Sequence, residues 1–197
     1  MKVPFSVLSL IAGVALVGCG GRVTSPFQSQ TLAGSSWSSA CSSLGEGAGS
    51  TKVTYEYSVS TENRKDENFS DSSCSQPVTQ VRKLSSFIEG ASREDMGTGA
   101  KEFIRNFDSR FVTPFNESEV ARLNENRYCG VSDWQIGVER DISTCRSGYT
   151  DIPREKNVYW VHNDILKFGD KTNPITGQRE ADFEPSEFES VEYTRNK

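Results

Sequence analysis

Histidine is almost missing from this chain: one, His162, in 197 residues. That count argues against a metal site built from several imidazoles and against a Ser/His/Asp triad. His162 sits in VYWVHND, beside a predicted turn, where a solvated or structural histidine is the plain reading. Close CxxC pairs are absent too, which removes the usual ligand spacing of a zinc site. No surplus of basic residues exists, since 22 Lys and Arg face 27 Asp and Glu for a net charge of −5. Such a chain does not neutralise phosphates, so nucleic acid is not expected as a partner. No glycine-rich phosphate loop follows a predicted strand. The acidic stretch Asp66-Glu67-Asn68 with Asp71 lacks the spaced ligands and glycine of an EF-hand and reads as a solvated turn. Among 27 acids some pairs must be close, but none is singled out by its surroundings. We therefore assign no catalytic residue, metal or cofactor and expect a protein that is not an enzyme.

Long apolar runs are also missing, with one exception at the start. Lys2 precedes a run from Val3 to Val17, which is 15 residues. A spanning helix needs about 20, so this length fits the apolar region of a secretory signal. Leu16-Val17-Gly18-Cys19 then resembles the lipobox of bacterial lipoproteins. That resemblance implies a signal peptide over 1–18, cleavage before Cys19, acyl chains such as palmitate on Cys19, and a lipid-anchored place in the bacterial cell envelope. Gly20 rather than Asp after the cysteine resembles the pattern that directs such proteins to the outer membrane. Several acyl chains, at about 0.8 kcal/mol per buried methylene, make the anchor effectively permanent. Residues 19–33 are small and polar and read as a flexible tether from the lipidated Cys19, leaving 34–197 as the folded domain.

Four cysteines lie beyond Cys19: Cys41, Cys74, Cys129 and Cys145. An even number in an exported chain reads as two disulfides. Three connectivities are open; Cys41–Cys74 with Cys129–Cys145 closes the shorter loops and is favoured.

The strongest alternation is KVTYEYSVS, where Val53, Tyr55, Tyr57 and Val59 share one face of a predicted strand. The polar TENRKDEN after it reads as a turn. A second alternation runs through Trp134, Ile136, Val138 and Ile142. NVYWVH, Asn163-Asp164 and ILKFGD form a predicted hairpin. Weaker strands are expected over 36–40, 68–72, 78–88 and 188–194. In GAKEFIRNFDSRF the apolar residues Ala100, Phe103, Ile104, Phe107 and Phe111 fall at helical spacing. Asn116 with Glu119 resembles a capping box opening ESEVARLN. Two short helices, 99–111 and 117–125, are thus expected as one insertion. About eight strands suit a mostly β, eight-stranded antiparallel barrel with a helical insertion at about 99–125. Tyr55, Tyr57, Trp134 and Trp160 are the aromatic candidates for lining a cavity with polar tips; plain core packing is the competing reading.

The run Leu32-Ala33-Gly34-Ser35-Ser36-Trp37-Ser38-Ser39-Ala40-Cys41 resembles the first-strand signature of small bacterial lipocalin-like lipoproteins, with two residues rather than one between Gly34 and Trp37. Phe69-Ser70-Asp71-Ser72-Ser73-Cys74 resembles their aromatic-x-Asp-x-x-Cys segment, whose cysteine pairs with the first. A weaker similarity links both segments to the extracellular adenomatosis polyposis coli down-regulated family. Ile165 to Asp170 and Tyr193-Thr194-Arg195 look like the last hairpin and last strand of such barrels. The resemblance implies a lipocalin-like barrel and noncatalytic binding of an apolar or amphipathic small molecule in its cavity. The alternative is a filled-core barrel that docks on another envelope protein through an apolar patch at Phe103, Phe107 or Phe111.

Overall fold

The computed structural model describes residues 31–145, 154–180 and 183–197. The signal peptide, Cys19 and the tether through residue 30 lie outside the described residues. Among the described residues there are ten strands: β1 (Ser36–Ser39), β2 (Ser42–Ser43), β3 (Ser50–Tyr57), β4 (Thr61–Phe69), β5 (Pro77–Ser92), β6 (Lys101–Pro114), β7 (Arg140–Asp141), β8 (Arg154–His162), β9 (Ile165–Phe168) and β10 (Tyr193–Arg195). One helix, α1, spans Glu117–Glu125. Setting aside the two-residue β2 and β7, each strand pairs antiparallel with the next, and β1 pairs with both β10 and β3. Eight strands thus close into an up-and-down antiparallel barrel with no free edge.

Closure depends on local chemistry. Asn163 and Asp164 both take positive φ, 49° and 61°. Two central residues in the left-handed region make the tight turn whose twist matches a hairpin, and Asn and Asp tolerate it. The register of β8 on β9 follows: His162 opposite Ile165 and Trp160 opposite Lys167. Gly49, at φ +79°, enters β3 where a Cβ would lie 2.0 Å from the Phe69 carbonyl oxygen. Only glycine fits that approach.

Three sequence expectations are corrected here. Residues 61–68 are not a turn but most of β4, paired along both sides with β3 and β5. The expected helix at 99–111 is a strand, β6. Its inward side chains Phe103 and Arg105 are two apart, which is strand period, and the run looked helical because Phe103 and Phe107 are also four apart. A bulge between Leu84/Ser85 of β5 and Phe107/Ser109 of β6 breaks the alternation further. The alternation from Trp134 to Ile142 is not a strand: only Arg140–Asp141 pairs with β6. Trp134 and Ile142 are buried while Ile136 and Val138 are exposed.

The second helix, 117–125, forms where expected. Asn116 Oδ1 accepts the Glu119 backbone N–H at 2.8 Å. The reciprocal half of the capping box is missing, because the Glu119 carboxylate turns to Thr79 Oγ1 at 2.8 Å and to Arg122.

Both favoured disulfides are present, Cys41–Cys74 and Cys129–Cys145. The first ties the chain after β1 to the β4–β5 loop. The second belongs to a small separate core of Val112, Leu123, Trp134 and Ile142, with Val81, Val120 and Tyr128 against it. There the β5–β6 hairpin runs past the barrel, and α1 with its following loop covers the inner face.

The chain enters the barrel at the other end. Leu32 is fully buried in the main core, and its N–H and the Thr31 hydroxyl both donate to Glu89 Oε1. Residues 31–33, read as the end of the tether, are therefore part of the packed domain.

Candidate functional site

The lumen is the first place to look for a site, and protein side chains occupy it. Tyr55, Tyr57, Phe87, Phe103 and Phe168 form a closed circuit of rings. Successive centroids are 6.1, 5.1, 5.3, 5.8 and 5.1 Å apart, returning from Phe168 to Tyr55. These are contact distances for aromatic pairs. Trp37, Tyr159, Leu166 and Tyr193 pack around the circuit.

Charge fills what the rings leave. The inward residues of β4 are Glu62, Arg64 and Asp66, opposite Tyr57, Tyr55 and Val53 of β3. Arg105 of β6 lies in the middle, its side chain 2% exposed and its guanidinium 5.0 Å from the centroid of Phe103 and 5.6 Å from that of Phe168. Its Nη1 donates to Glu62 Oε1 at 2.8 Å, and its Nε lies 3.2 Å from Glu155 Oε2. The Tyr57 hydroxyl donates to Glu62 Oε2 at 3.0 Å, and Arg179 reaches Glu155 at 3.1 Å. Burial pushes the Glu155 carboxyl up, but the charges of Arg105 and Arg179 more than offset it and hold the group below the usual carboxylate range. Burial of Tyr57, with the neighbouring Glu62 charge, raises its hydroxyl well above the ordinary value. The cluster's ion pairs and hydrogen bonds knit four walls of the barrel together. Arg64 and Lys83 likewise flank Asp66, at 2.6 and 3.8 Å.

The four aromatic candidates fall in three places. Tyr55 and Tyr57 are in the lumen circuit, and Trp134 is in the small core under α1. Trp160 is on the outside of the barrel. On β8 the inward set is Glu155, Asn157, Tyr159 and Val161, so Trp160 and His162 face outward together. Their rings stack, with centroids 5.3 Å apart and planes at 18°. Phe188 continues the row on the other side of Trp160 at 6.2 Å. Its segment lies along the end of β9, where Phe188 bridges to Gly169. The β5–β6 loop overhangs the row, and the Trp160 indole N–H donates to the Thr98 carbonyl at 3.3 Å. Together they line a cleft of about 420 Å³, which Met96, Gly97 and Lys167 complete. Lys167 stands opposite Trp160 in the β8–β9 register, and its Nζ pairs with Glu192 at 2.8 Å.

A smaller cleft of about 170 Å³ lies further along the wall, between Arg93, Lys156, Lys171 and Pro185. Its charges are tied: Arg93 to Asp95 and Glu184, Lys156 to Glu102, and the buried Lys171 to the Phe183 carbonyl. Asp71, considered above for calcium, accepts from the backbone N–H groups of Ser75 and Gln76 and from two serine hydroxyls, which hold its carboxyl far below the usual range. It caps its own disulfide loop. No group of three or more metal-ligating side chains occurs among the described residues.

The docking patch expected at Phe103, Phe107 and Phe111 is not assembled. Phe103 is in the lumen, while Phe107 and Phe111 are half-buried, the latter 4.1 Å beneath the Arg82 guanidinium. The cleft on the outer wall was missed by sequence reasoning, although a signal existed. A two-residue hairpin turn fixes Lys167 opposite Trp160, and His162 is on the same face two residues on.

Fold and site define a small disulfide-tied, closed eight-stranded barrel with a filled lumen and an aromatic cleft on its outer wall. No protein-family model and no curated protein matches the chain.

Proposed function

We infer that the protein is a noncatalytic binding module of the bacterial cell envelope, held by acylated Cys19, with its cargo taken up outside the barrel rather than within it. The ligand is an apolar or amphipathic small molecule, and its seat is the Trp160 cleft. One observation carries the choice of seat: the ring circuit and the Arg105 cluster fill the lumen, while an apolar recess of about 420 Å³ opens against Trp160, His162 and Phe188. A concave apolar surface with few polar groups is the usual form of a small-molecule site. The cleft brings no nucleophile beside a base, and its one histidine makes no hydrogen bond to another described residue, which favours binding over turnover.

Native mass spectrometry of residues 20–197, made in an oxidising compartment, tests this reading. That segment contains both buried clusters and both disulfides. Extra mass that leaves on denaturation, and is lost in Trp160→Ala, is the expected result. Extra mass retained by Trp160→Ala overturns the outer seat and returns the ligand to the lumen. Bound protein in place of a small molecule supports the docking alternative.

A further inference from the structure

The cleft has a polarity that narrows its ligand. Its walls are apolar: Met96 from the overhanging loop, the faces of Trp160 and Phe188, and the open backbone at Gly97, which has no side chain. Its only charged or titratable lining groups are Lys167 and His162, and both are on the β8–β9 hairpin. Three carboxylates near this rim are held by cations, Asp95 by Arg93, Asp164 by Arg195 and Glu192 by Lys167, and none of the rim carboxylates lines the cleft itself. In a chain of net charge −5 the lining of this cleft carries a cation and no carboxylate. The Lys167–Glu192 pair is on the surface, with side chains 26% and 52% exposed. Exposed pairs of this kind contribute little and exchange partners readily. An anionic head can therefore take Lys167 from Glu192 at small loss, and the His162 ring lining the same cleft carries a ring N–H to donate.

Resting on the reading above, we propose that the cleft binds a single-chain amphiphile with an anionic head, the chain lying along Met96, Trp160 and Phe188 and the head on Lys167. Glu192 is then a competitor built into the site: it holds Lys167 when the cleft is empty and yields it when the ligand arrives. A fatty carboxylate and a lysophospholipid phosphate share this chemistry.

The three tryptophans make the test specific. Trp37 and Trp134 are buried in the two cores, so a quencher carried on a chain in the cleft reaches Trp160 first. The probes are a nitroxide-labelled stearic acid, its methyl ester, and a nitroxide-labelled lysophosphatidic acid, each below its micelle concentration, with residues 20–197. Expected are saturable quenching by the acid, about tenfold weaker quenching by the ester, about fivefold or greater weakening in Lys167→Gln, and severalfold tightening in Glu192→Gln. Quenching by the phosphate probe alone assigns the head as a phosphate, and by the stearate probe as a carboxylate. Equal affinity for acid and ester, with both variants unchanged, overturns the anionic head but leaves the cleft as an apolar seat. No quenching by any probe, or quenching undiminished in Trp160→Phe, overturns the seat itself. Both charge variants are at the surface; far-ultraviolet circular dichroism and a urea midpoint confirm that they keep the fold.

Discussion

Replacing Arg105 by Met removes the one guanidinium at the centre of the barrel. Glu62, whose side chain is fully buried, keeps only the Tyr57 hydroxyl; Glu155 keeps the half-exposed Arg179. Removing one partner of a buried ion pair leaves an uncompensated charge and costs about 3–5 kcal/mol. With a urea slope of about 2 kcal/mol/M for a domain of this size, the midpoint falls by roughly 1.5–2.5 M. Two further outcomes separate this cause from lost packing volume. Glu62→Met/Arg105→Met, which replaces the innermost pair by apolar side chains, regains most of the loss, because the pair repays little more than its own desolvation. The deficit of the single variant also narrows as pH falls from 7 to 5, because a buried carboxylate that has lost its cation takes up a proton in the folded state. The assay is urea unfolding followed by circular dichroism at both pH values, with disulfides intact. A loss below about 1 kcal/mol in Arg105→Met, or a double variant as weak as the single, refutes the argument that the cluster is a closed set of interdependent charges.

Four further outcomes follow from the same structure. The disulfides close loops of 33 and 16 residues; opening them with Ser pairs is expected to lower stability by about 3.7 and about 3.1 kcal/mol, read from urea midpoints. Asn116→Ala loses the N-cap of α1 and about 1 kcal/mol, with Asn116→Asp close to the parent. Glu119 and Glu155 are pushed up by burial but held below the usual range, the first by Arg122 and Thr79 and the second by Arg105 and Arg179. Their depressed values in the folded state give stability that is full above about pH 4.3 and lost as pH falls through the lower folded values, so the urea midpoint is expected to be flat from pH 8 to 5.5 and to drop below about pH 4.5. Protein extracted from the envelope is expected to begin at an acylated Cys19, seen as added mass on the N-terminal peptide; an unmodified peptide starting elsewhere contradicts the lipobox reading.

The sequence carried the barrel because most of its strands obey period two with apolar residues inward. β3 and the β8–β9 hairpin are legible for that reason, and the Asn163-Asp164 turn fixes the register of the latter. β4 was illegible because its inward side chains are Glu62, Arg64 and Asp66, which local patterning reads as solvated. Glu62 is matched by Arg105, 43 residues away, and Asp66 by Lys83 as well as Arg64, and no local rule contains those pairings. β6 misled in the opposite way, since Phe103 and Phe107 satisfy both the strand and the helix period. The loop from Trp134 to Val138 alternates by chance, and only Trp134 finds a core. At the site, Trp160 was selected for being aromatic, but parity decides where it points. Its neighbours Tyr159 and Val161 take the inside of β8, which leaves Trp160 and His162 the outer wall.

The most direct test of where a ligand goes is the set of three indole N–H resonances of residues 20–197, recorded as the stearic acid is added. The account expects the Trp160 signal to move and saturate while those of Trp37 and Trp134 stay in place. A shift at Trp37, in the lumen, with Trp160 unmoved would contradict it.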